Sequence, residues 1–183
     1  MTFTLKKTVA MVGMMGAGKT AVGKAVSQIL GVPFLDSDSE IEQAANMTIP
    51  EIFERDGEPF FRIKETQVIT RLLDGDPCIL STGGGAFLAD VNRAAINEKG
   101  VAVWLDADLD LLWSRVKNKN TRPLLRTDNP YGTLKALYDQ RTPIYKLAKV
   151  HVQSSPDTAI DDMANRVISA LMTRNDVLES QDP

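Results

Sequence analysis

A short segment near the N-terminus has the residue types of a phosphate-binding loop. Residues 13–20 read Gly-Met-Met-Gly-Ala-Gly-Lys-Thr and match the pattern G-x-x-x-x-G-K-[ST], between an apolar run and a helical pattern. The glycines let successive backbone N–H groups turn toward one anion, and the helix adds the positive end of its dipole. Lys19 then places a cation at the β- and γ-phosphates, and Thr20 offers a hydroxyl to Mg²⁺. The motif predicts a nucleoside triphosphate site and leaves the acceptor of the phosphoryl group open.

Two carboxylates follow the second apolar run of the chain. Asp36 and Asp38 are separated by one serine at a predicted strand-to-helix junction. Facing a phosphate loop, such a pair can supply a metal ligand and a hydrogen-bond partner for a hydroxyl group. Asp is also a preferred helix N-cap, so capping is an equally good interpretation of these two residues taken alone.

Three consecutive glycines at residues 83–85 follow the third apolar run. Glycine loses much backbone entropy on folding, so such a run indicates that a ligand or another backbone approaches closely; a flexible turn is the alternative. Enzymes with this phosphate loop usually carry an Asp at the end of this strand to help hold Mg²⁺, whereas Ser81 and Thr82 stand here. We therefore expect Asp36 to supply the missing charge through a water molecule.

Three arginines lie in sequence settings that suit anion binding. Arg62 is at the start of a predicted helix, Arg122 is in a polar interruption of the helical pattern, and Arg141 precedes Thr-Pro-Ile-Tyr. A guanidinium group matches a carboxylate or phosphate with two parallel hydrogen bonds. Any one of these residues taken alone is better explained as a solvated or ion-paired surface residue. Their occurrence together with the phosphate loop favours anion binding.

Short apolar runs alternate along the chain with longer amphipathic stretches. The runs predict strands, and the stretches predict helices, with Gly31 as a helix stop and a capping box from Thr48 to Glu51. This alternation requires a parallel sheet with helices on both faces and ligands beyond the C-terminal strand ends. The predicted strands are residues 9–12, 33–35, 78–80, 101–105 and 150–152, and the longer predicted helices are 20–30, 39–45, 59–73, 90–97, 108–117, 133–148 and 158–172.

Length and composition define the setting of these motifs. The 183 residues suffice for one domain with a substantial core, which we place at residues 1–173, followed by a polar, frayed tail at 174–183. The net charge of −3 gives no field suited to nucleic acid. The single cysteine, Cys78, excludes an internal disulfide and fits a buried thiol in a reducing compartment. The sequence shows neither a signal peptide nor a membrane span, so we expect a cytoplasmic protein.

The ordered set of motifs resembles the shikimate kinase family over nearly the whole chain. The resemblance rests on the phosphate loop, Asp36-Ser37-Asp38, Phe61-Arg62, the three glycines, and the segments Arg-Pro-Leu-Leu at 122–125 and Arg-Thr-Pro-Ile-Tyr at 141–145. It implies a three-layer α/β/α fold with a central five-stranded parallel sheet of order 2-3-1-4-5 and a mobile lid at about residues 118–131. It also implies a monomeric, Mg²⁺-dependent enzyme that transfers phosphate from ATP to the 3-hydroxyl of shikimate, in chorismate and aromatic amino acid biosynthesis.

The resemblance assigns roles in substrate binding and catalysis. Arg62 and Arg141 match the positions that hold the shikimate carboxylate. Asp38 matches the residue that binds the ring hydroxyls, and it is the candidate to accept the 3-hydroxyl proton. Lys19 and Arg122, the latter arriving with the lid, converge on the transferring phosphoryl group. Contacts to shikimate are also expected from Gly83, Gly84 and Gly85.

Further positions match the nucleotide and metal sites of the family. Arg115 matches a residue that stacks on adenine, whereas residues 153–156 read Gln-Ser-Ser-Pro and depart from the Arg or Asn that family members carry before this proline. The second adenine contact is therefore expected from backbone and Pro156 alone. Thr20 and Asp36 are the expected metal-site residues. The expected ATP-binding residues are Gly16, Ala17, Gly18, Lys19, Thr20, Ala21, Arg115, Arg122 and Pro156.

Two other functions are compatible with the phosphate loop. A kinase of another small hydroxy acid, such as gluconate, uses a similar loop and fold but would lack the Arg62 and Arg141 pair and the glycine contact. A non-catalytic ATP-binding module would keep the fold and lose turnover, and the intact Lys19, Asp38 and Arg122 argue against it. A panel of acceptor substrates separates these alternatives.

Overall fold

The computed structural model describes residues 1–119 and 125–182 of the chain. Within these ranges strands and helices alternate as the apolar pattern predicts, and no helix there is long and apolar enough to cross a membrane. The strands are β1 (Phe3–Leu5), β2 (Thr8–Val12), β3 (Phe34–Asp36), β4 (Ile79–Ser81), β5 (Gly100–Asp106), β6 (Val150–Gln153) and β7 (Leu178–Ser180). The helices are α1 (Lys19–Leu30), α2 (Ser37–Ala45), α3 (Ile49–Asp56), α4 (Glu58–Leu73), a short 3₁₀ helix (Ala86–Leu88), α5 (Asp90–Lys99), α6 (Leu109–Val116), α7 (Pro130–Tyr145) and α8 (Ile160–Met172).

Five strands form one parallel sheet in the order β3-β4-β2-β5-β6. Numbered among themselves along the chain, they have the order 2-3-1-4-5, so the predicted fold is confirmed. Right-handed crossovers place helices on one face when the chain moves one way along a sheet and on the other face when it moves back. The chain moves toward one edge from β2 to β3 and toward the other edge from β3 onward. Helices therefore cover both faces, and α1 packs beside α8.

The central strands are buried on both faces and carry unbroken apolar sequence. Val9, Ala10 and Met11 of β2 have no exposed surface, and the neighbouring β5 reads Val-Ala-Val-Trp-Leu over buried positions. Strands covered by helices on both faces are expected to be apolar throughout, without alternation. The rigid centre of the sheet holds the loops that follow its strands in fixed relative positions. Those loops carry the polar residues singled out above.

Two helices have the predicted capping residues, and one helix begins and ends earlier in the chain than predicted. Thr48 and Glu51 form a reciprocal capping box at the start of α3, and Gly31 ends α1 with φ of 66°. Helix α7 runs three residues ahead of the predicted 133–148 at both ends. It begins at Pro130 because the Asn129 side chain caps a first-turn amide, a start signal that outweighs the apolar periodicity.

The C-terminal residues are ordered, and the expectation of a frayed tail at 174–183 is wrong for the described part. Strand β7 pairs antiparallel with β1 in a separate two-stranded sheet, with Leu5 opposite Leu178. Val177 and Leu178 are fully buried in the hydrophobic core. Each strand is three residues long, too short to give a recognisable pattern in the sequence. The two segments are strands because the two ends of the chain pair with each other.

Residues 120–124 lie outside the described residues. Arg122 and the centre of the predicted lid are therefore not placed by the structure. On either side of this segment, Trp113 of α6 and Tyr131 of α7 meet edge to face, with ring centroids 5.4 Å apart. The two helices that flank the segment are thus in contact with each other.

Candidate active site

The phosphate loop connects the central strand β2 to α1 and has the backbone conformation that its glycines predict. Gly13, Gly16 and Gly18 have φ values of 147°, 82° and 93°, which residues with a Cβ atom rarely adopt. Gly16 also packs closely on α6, where a Cβ atom would lie 2.8 Å from Val116 Cγ1. Lys19, the first residue of α1, donates a hydrogen bond from Nζ to Gly13 O at 2.5 Å. This hydrogen bond joins the two ends of the loop and holds the Lys19 ammonium group against the loop backbone.

The remaining predicted nucleotide residues lie around this loop. Thr20 and Ala21 are exposed in the first turn of α1. Arg115, in the last turn of α6, donates from Nη1 to Gly16 O at 2.9 Å, so its guanidinium group lies against the loop itself. Pro156 is exposed just beyond the C-terminal end of β6. The structure therefore brings Thr20, Ala21 and Arg115 to the phosphate loop and leaves Pro156 on the connection to α8.

Asp36 ends β3 and is the N-cap of α2. Its Oδ1 accepts a hydrogen bond from Ser39 N at 3.1 Å, which is the capping interpretation of this residue. In the sheet Asp36 pairs with Ser81, the last residue of β4. Thr82, which follows, is buried and donates its hydroxyl hydrogen to Met11 O at 2.9 Å. At the C-terminal ends of these strands, the carboxylate is therefore supplied by Asp36 of β3. The hydroxyl group of Thr82, which follows β4, is used in the hydrogen bond to β2.

The three consecutive glycines make room for three charged side chains from different helices. Asp38 comes from α2, Arg62 from α4 and Arg141 from α7, so the glycine loop is where helices distant in sequence meet. The sequence predicts that a ligand or another backbone approaches these glycines, whereas the groups that approach them in the structure are charged side chains. An ideal Cβ atom would lie 2.9 Å from Asp38 Oδ1 if built on Gly83, 3.1 Å from Arg141 Nη1 if built on Gly84, and 2.5 Å from Arg62 Nη2 if built on Gly85.

Asp38 has the environment of a proton acceptor. Burial raises the pKa of its carboxyl from 3.8 to about 6, helped by the nearby charges of Asp36 and Glu65 and opposed by Lys19. Its Oδ1 is buried and has no hydrogen-bond partner among the described residues. The effect of Lys19 also shows that the phosphate loop and this carboxylate are close enough to interact. At neutral pH Asp38 is ionised, with an oxygen available for a hydroxyl group.

Glu65 is a site residue that no motif in the sequence indicates. Arg62 donates from Nη1 to Glu65 Oε1 at 2.9 Å and from Nη2 to Glu58 Oε1 at 3.3 Å. The Glu65 side chain is only 1% exposed. Burial raises the pKa of its carboxyl, and Arg62 opposes that rise. Its i, i+3 spacing from Arg62 on one helix is the signal that could have identified it.

Tyr145, the last residue of the Arg-Thr-Pro-Ile-Tyr segment, is a second neighbour of the site to which the sequence analysis assigns no role. It closes α7 one turn after the buried Arg141, and its hydroxyl donates a hydrogen bond to Gly84 O. The Tyr145 ring is buried and stacks on Trp104 of β5, with ring centroids 6.4 Å apart. Here the i, i+4 spacing from Arg141 is the signal in the sequence.

These features define a class of protein. A phosphate loop after the central strand of a parallel α/β sheet is the nucleotide site of a P-loop protein, and here it adjoins one carboxylate and two guanidinium groups. Such a set suits a small acceptor that carries both hydroxyl groups and a negative charge. The family profile of shikimate kinase matches residues 15–172. The chain belongs to the shikimate kinase family, as its motifs predict.

Individual relatives agree with this assignment. The chain is 67% identical to the shikimate kinase of Ruegeria pomeroyi over 175 residues, which cover 96% of this chain and 90% of the relative. It superposes on the shikimate kinase of Acinetobacter baumannii in complex with shikimate with a TM-score of 0.86 and 36% identity, covering 92% of this chain and 94% of that one. A gluconokinase from Sinorhizobium meliloti, at 15% identity and a TM-score of 0.62 over 92% of this chain and 93% of its own, shares the fold alone.

Proposed function

We propose that this protein transfers the γ-phosphoryl group of ATP to the 3-hydroxyl of shikimate, giving ADP and shikimate 3-phosphate. The product would enter the synthesis of chorismate and the aromatic amino acids. Membership of the shikimate kinase family supports this function. The structural observation that carries it is the glycine loop, which gathers Asp38, Arg62 and Arg141 beside the phosphate loop.

Arg62 and Arg141 are the proposed clamp for the shikimate carboxylate. Both guanidinium groups touch the glycine loop, at Gly85 and Gly84 respectively, so they can act on one ligand. Two forked cations orient a carboxylate more strictly than a single cation, because each provides paired donors in one plane. The carboxylate is the only charge of shikimate and is attached to the same rigid ring as the 3-hydroxyl. Fixing it therefore fixes the direction of the reacting group.

Asp38 and Lys19 are the proposed catalytic residues on the described part of the chain. The oxygen of the 3-hydroxyl bonds to the γ-phosphorus while the bond from that phosphorus to the β,γ-bridging oxygen breaks, and the hydroxyl proton passes to Asp38. Lys19 stabilises the charge that spreads over the phosphoryl oxygens. Arg122 is proposed to join it from the lid, although this residue lies outside the described residues.

Thr20 and Asp36 are the proposed magnesium-site residues, with ATP as the co-substrate. A hydroxyl group and a carboxylate are donors that Mg²⁺ accepts beside phosphate oxygens. Thr20 is exposed in the first turn of α1, and Asp36 uses Oδ1 for its cap, so Oδ2 would be the oxygen available to a metal-bound water. When bound, the ion would neutralise charge on the β- and γ-phosphates. The nucleotide set otherwise comprises the loop backbone from Gly16 to Ala21, Arg115 and Pro156.

We further propose a cytoplasmic monomer that uses no nucleic acid or membrane partner. All of the proposed site residues come from one chain. The net charge of −3 does not favour nucleic acid. The Cys78 thiol is free and buried, as a reducing compartment permits. Light scattering coupled to size exclusion measures the oligomeric state directly.

An acceptor panel tests the proposed function. ADP release is followed in a coupled assay with MgATP and either shikimate, gluconate or no acceptor. We expect turnover that saturates with shikimate and stays at the background rate with gluconate, because gluconate presents its carboxylate on a flexible chain. Nucleotide binding without shikimate-dependent ADP release would contradict the proposal and favour a non-catalytic ATP-binding module.

A further inference from the structure

Tyr145 contacts two parts of the acceptor site at once. Its hydroxyl donates a hydrogen bond to Gly84 O. A Cβ atom on Gly84 would lie 3.1 Å from Arg141 Nη1 and 4.0 Å from Tyr145 Oη. Arg141 precedes Tyr145 by four residues on α7, so both side chains project from the same face of the helix. The phenol, the guanidinium group and the Gly84 peptide therefore form one cluster.

The single proton of the phenol determines the direction of the hydrogen bonds in this cluster. Because that proton goes to Gly84 O, only the lone pairs of the phenol oxygen are left to face Arg141, whose guanidinium group has donors alone. Burial raises the pKa of Tyr145, and attraction to Arg141 and Arg62 opposes that rise. Tyr145 consequently stays neutral through the neutral pH range and keeps the proton that bonds to Gly84.

The two arginines of the site are held in different ways. Arg62 is paired with two carboxylates, Glu58 and Glu65. Arg141 is buried, has no ion-pair partner within the described residues, and its Nε has no hydrogen-bond partner there. A buried cation without a counter-ion is unfavourable until an anion arrives. A carboxylate beside Arg141 would compete with an incoming carboxylate, whereas a neutral hydroxyl group orients the cation and leaves its charge available.

We infer that Tyr145 is a positioning residue for the acceptor, holding Arg141 and the Gly84 peptide in the geometry that receives the shikimate carboxylate. This inference rests on the proposed function, since it concerns how that site recognises its anion. The Tyr145 ring, stacked on Trp104, fixes the hydroxyl from the side of the core. The cluster is thus held together by contacts within the protein, and affinity for the carboxylate depends on one buried hydroxyl group.

The substitution Tyr145→Phe removes this hydroxyl group and keeps the ring. We expect the KM for shikimate to rise about tenfold, because the hydrogen bond to Gly84 O is lost and Arg141 loses the phenol oxygen beside it. The kcat and the affinity for ADP should stay close to those of the wild type, which also shows that the variant is folded. Tyr138→Phe removes a hydroxyl from the same helix outside the cluster and is the matched control. An unchanged KM for shikimate in Tyr145→Phe would overturn the inference.

A second measurement separates positioning from a general structural effect. Binding of shikimate is compared with binding of its carboxamide, in which the carboxylate is replaced by an uncharged group. The loss caused by Tyr145→Phe should disappear with the carboxamide and in an Arg141→Gln background, since both remove the charge through which Tyr145 acts. An equal loss in every case would contradict the inference. Wild-type turnover is measured first: no phosphorylation of shikimate would contradict the proposed function, whereas normal phosphorylation with a KM for shikimate that Tyr145→Phe leaves unchanged overturns this inference alone.

Discussion

Asp38 shows at the scale of one residue how the proposed catalysis and stability oppose each other. Burial and three neighbouring carboxylates raise its pKa to about 6. An acid whose pKa is higher in the folded than in the unfolded chain favours unfolding as pH rises between the two pKa values, and this penalty persists above them. The ionised carboxylate therefore costs stability at neutral pH. It is retained, on the proposed function, because a neutral side chain could not accept the hydroxyl proton.

Asp38→Asn should stabilise the fold in a pH-dependent way. We expect the free energy of unfolding to rise by about 1–2 kcal/mol near pH 8 and by almost nothing near pH 4, since the full pKa difference is worth about 3 kcal/mol before allowance for partial exposure. Denaturant titrations at the two pH values measure this. A gain of the same size at both would show that its origin is not the charge.

The pKa of Asp38 also predicts the pH dependence of activity. Below its pKa of about 6 the carboxyl becomes protonated, so kcat/KM for shikimate should fall about tenfold per pH unit as the solution is acidified. Asp38→Asn should be slow throughout and lack this acid limb. A wild-type profile that is flat between about pH 5 and 8 would remove Asp38 as the base.

The Arg62 and Glu65 pair allows binding and stability to be separated. Arg62→Ala should weaken shikimate binding by about 2–4 kcal/mol with ATP affinity retained, and it should also destabilise the fold because buried Glu65 loses its partner. Adding Glu65→Gln should restore stability but not affinity. Arg71→Ala removes an exposed arginine from the same helix. It is the control both for shikimate affinity, measured by calorimetry, and for stability, measured by thermal unfolding. Recovery of affinity in the double variant would refute the proposed role of Arg62.

At the scale of elements, the glycine loop works by leaving space for side chains. Gly85 has an ordinary φ of −92°, so an alanine there would not strain the backbone. Its Cβ atom would nevertheless lie 2.5 Å from Arg62 Nη2, and the end of that flexible side chain would have to move. The requirement for glycine at this position is therefore a requirement of the site and not of the turn.

Gly85→Ala should accordingly impair substrate binding without unfolding the protein. We expect the KM for shikimate to rise about tenfold or more, with a thermal midpoint closer to that of the wild type than in Arg62→Ala, because the flexible Arg62 side chain can shift and still pair with Glu65. Gly75→Ala, whose Cβ atom would approach Leu72 O to no closer than 3.4 Å, should change neither quantity. A large fall in the thermal midpoint of Gly85→Ala would mean that Arg62 cannot move aside.

Helix α7 illustrates why the existence of an element is easier to predict than its bounds. Its periodic apolar residues indicate a helix from sequence, but the start is set by Asn129 and Pro130, which interact only with the first turn. Pro143 lies inside its last turns, where a sequence pattern alone favours an end. The helix nevertheless continues past Pro143 to Tyr145, and the residues on either side of this proline, Arg141 and Tyr145, both contact the glycine loop.

At the scale of the whole molecule, the chain ends stabilise the fold from the side opposite the site. Strand β1 precedes the N-terminal end of β2, while the phosphate loop follows its C-terminal end. The β1–β7 sheet therefore contributes burial of Val177 and Leu178 without touching the proposed chemistry.

Removal of residues 174–183 should lower stability and leave catalysis intact. We expect a loss of about 2–5 kcal/mol, because two fully buried side chains and the pairing with β1 are removed. The KM values for both substrates should be unchanged at a temperature where the truncated chain is folded. Removal of residues 181–183 alone is the control and should have little effect. Equal stability of the two truncations would show that β7 is dispensable.

The sequence by itself determined the α/β class, the strand order through its family resemblance, the phosphate loop and the identities of Asp38, Arg62 and Arg141. The α/β class and the phosphate loop follow from local patterns, because glycine positions, apolar runs and motif spacing are properties of residues close together in the chain, whereas the strand order and the choice of Asp38, Arg62 and Arg141 follow from the family resemblance. The tertiary structure decided which groups meet: each glycine of the loop against one charged side chain, Glu65 behind Arg62, Tyr145 behind Arg141, and β1 against β7. Those pairings join residues far apart in the chain, and only the packing of helices on one rigid sheet brings them together.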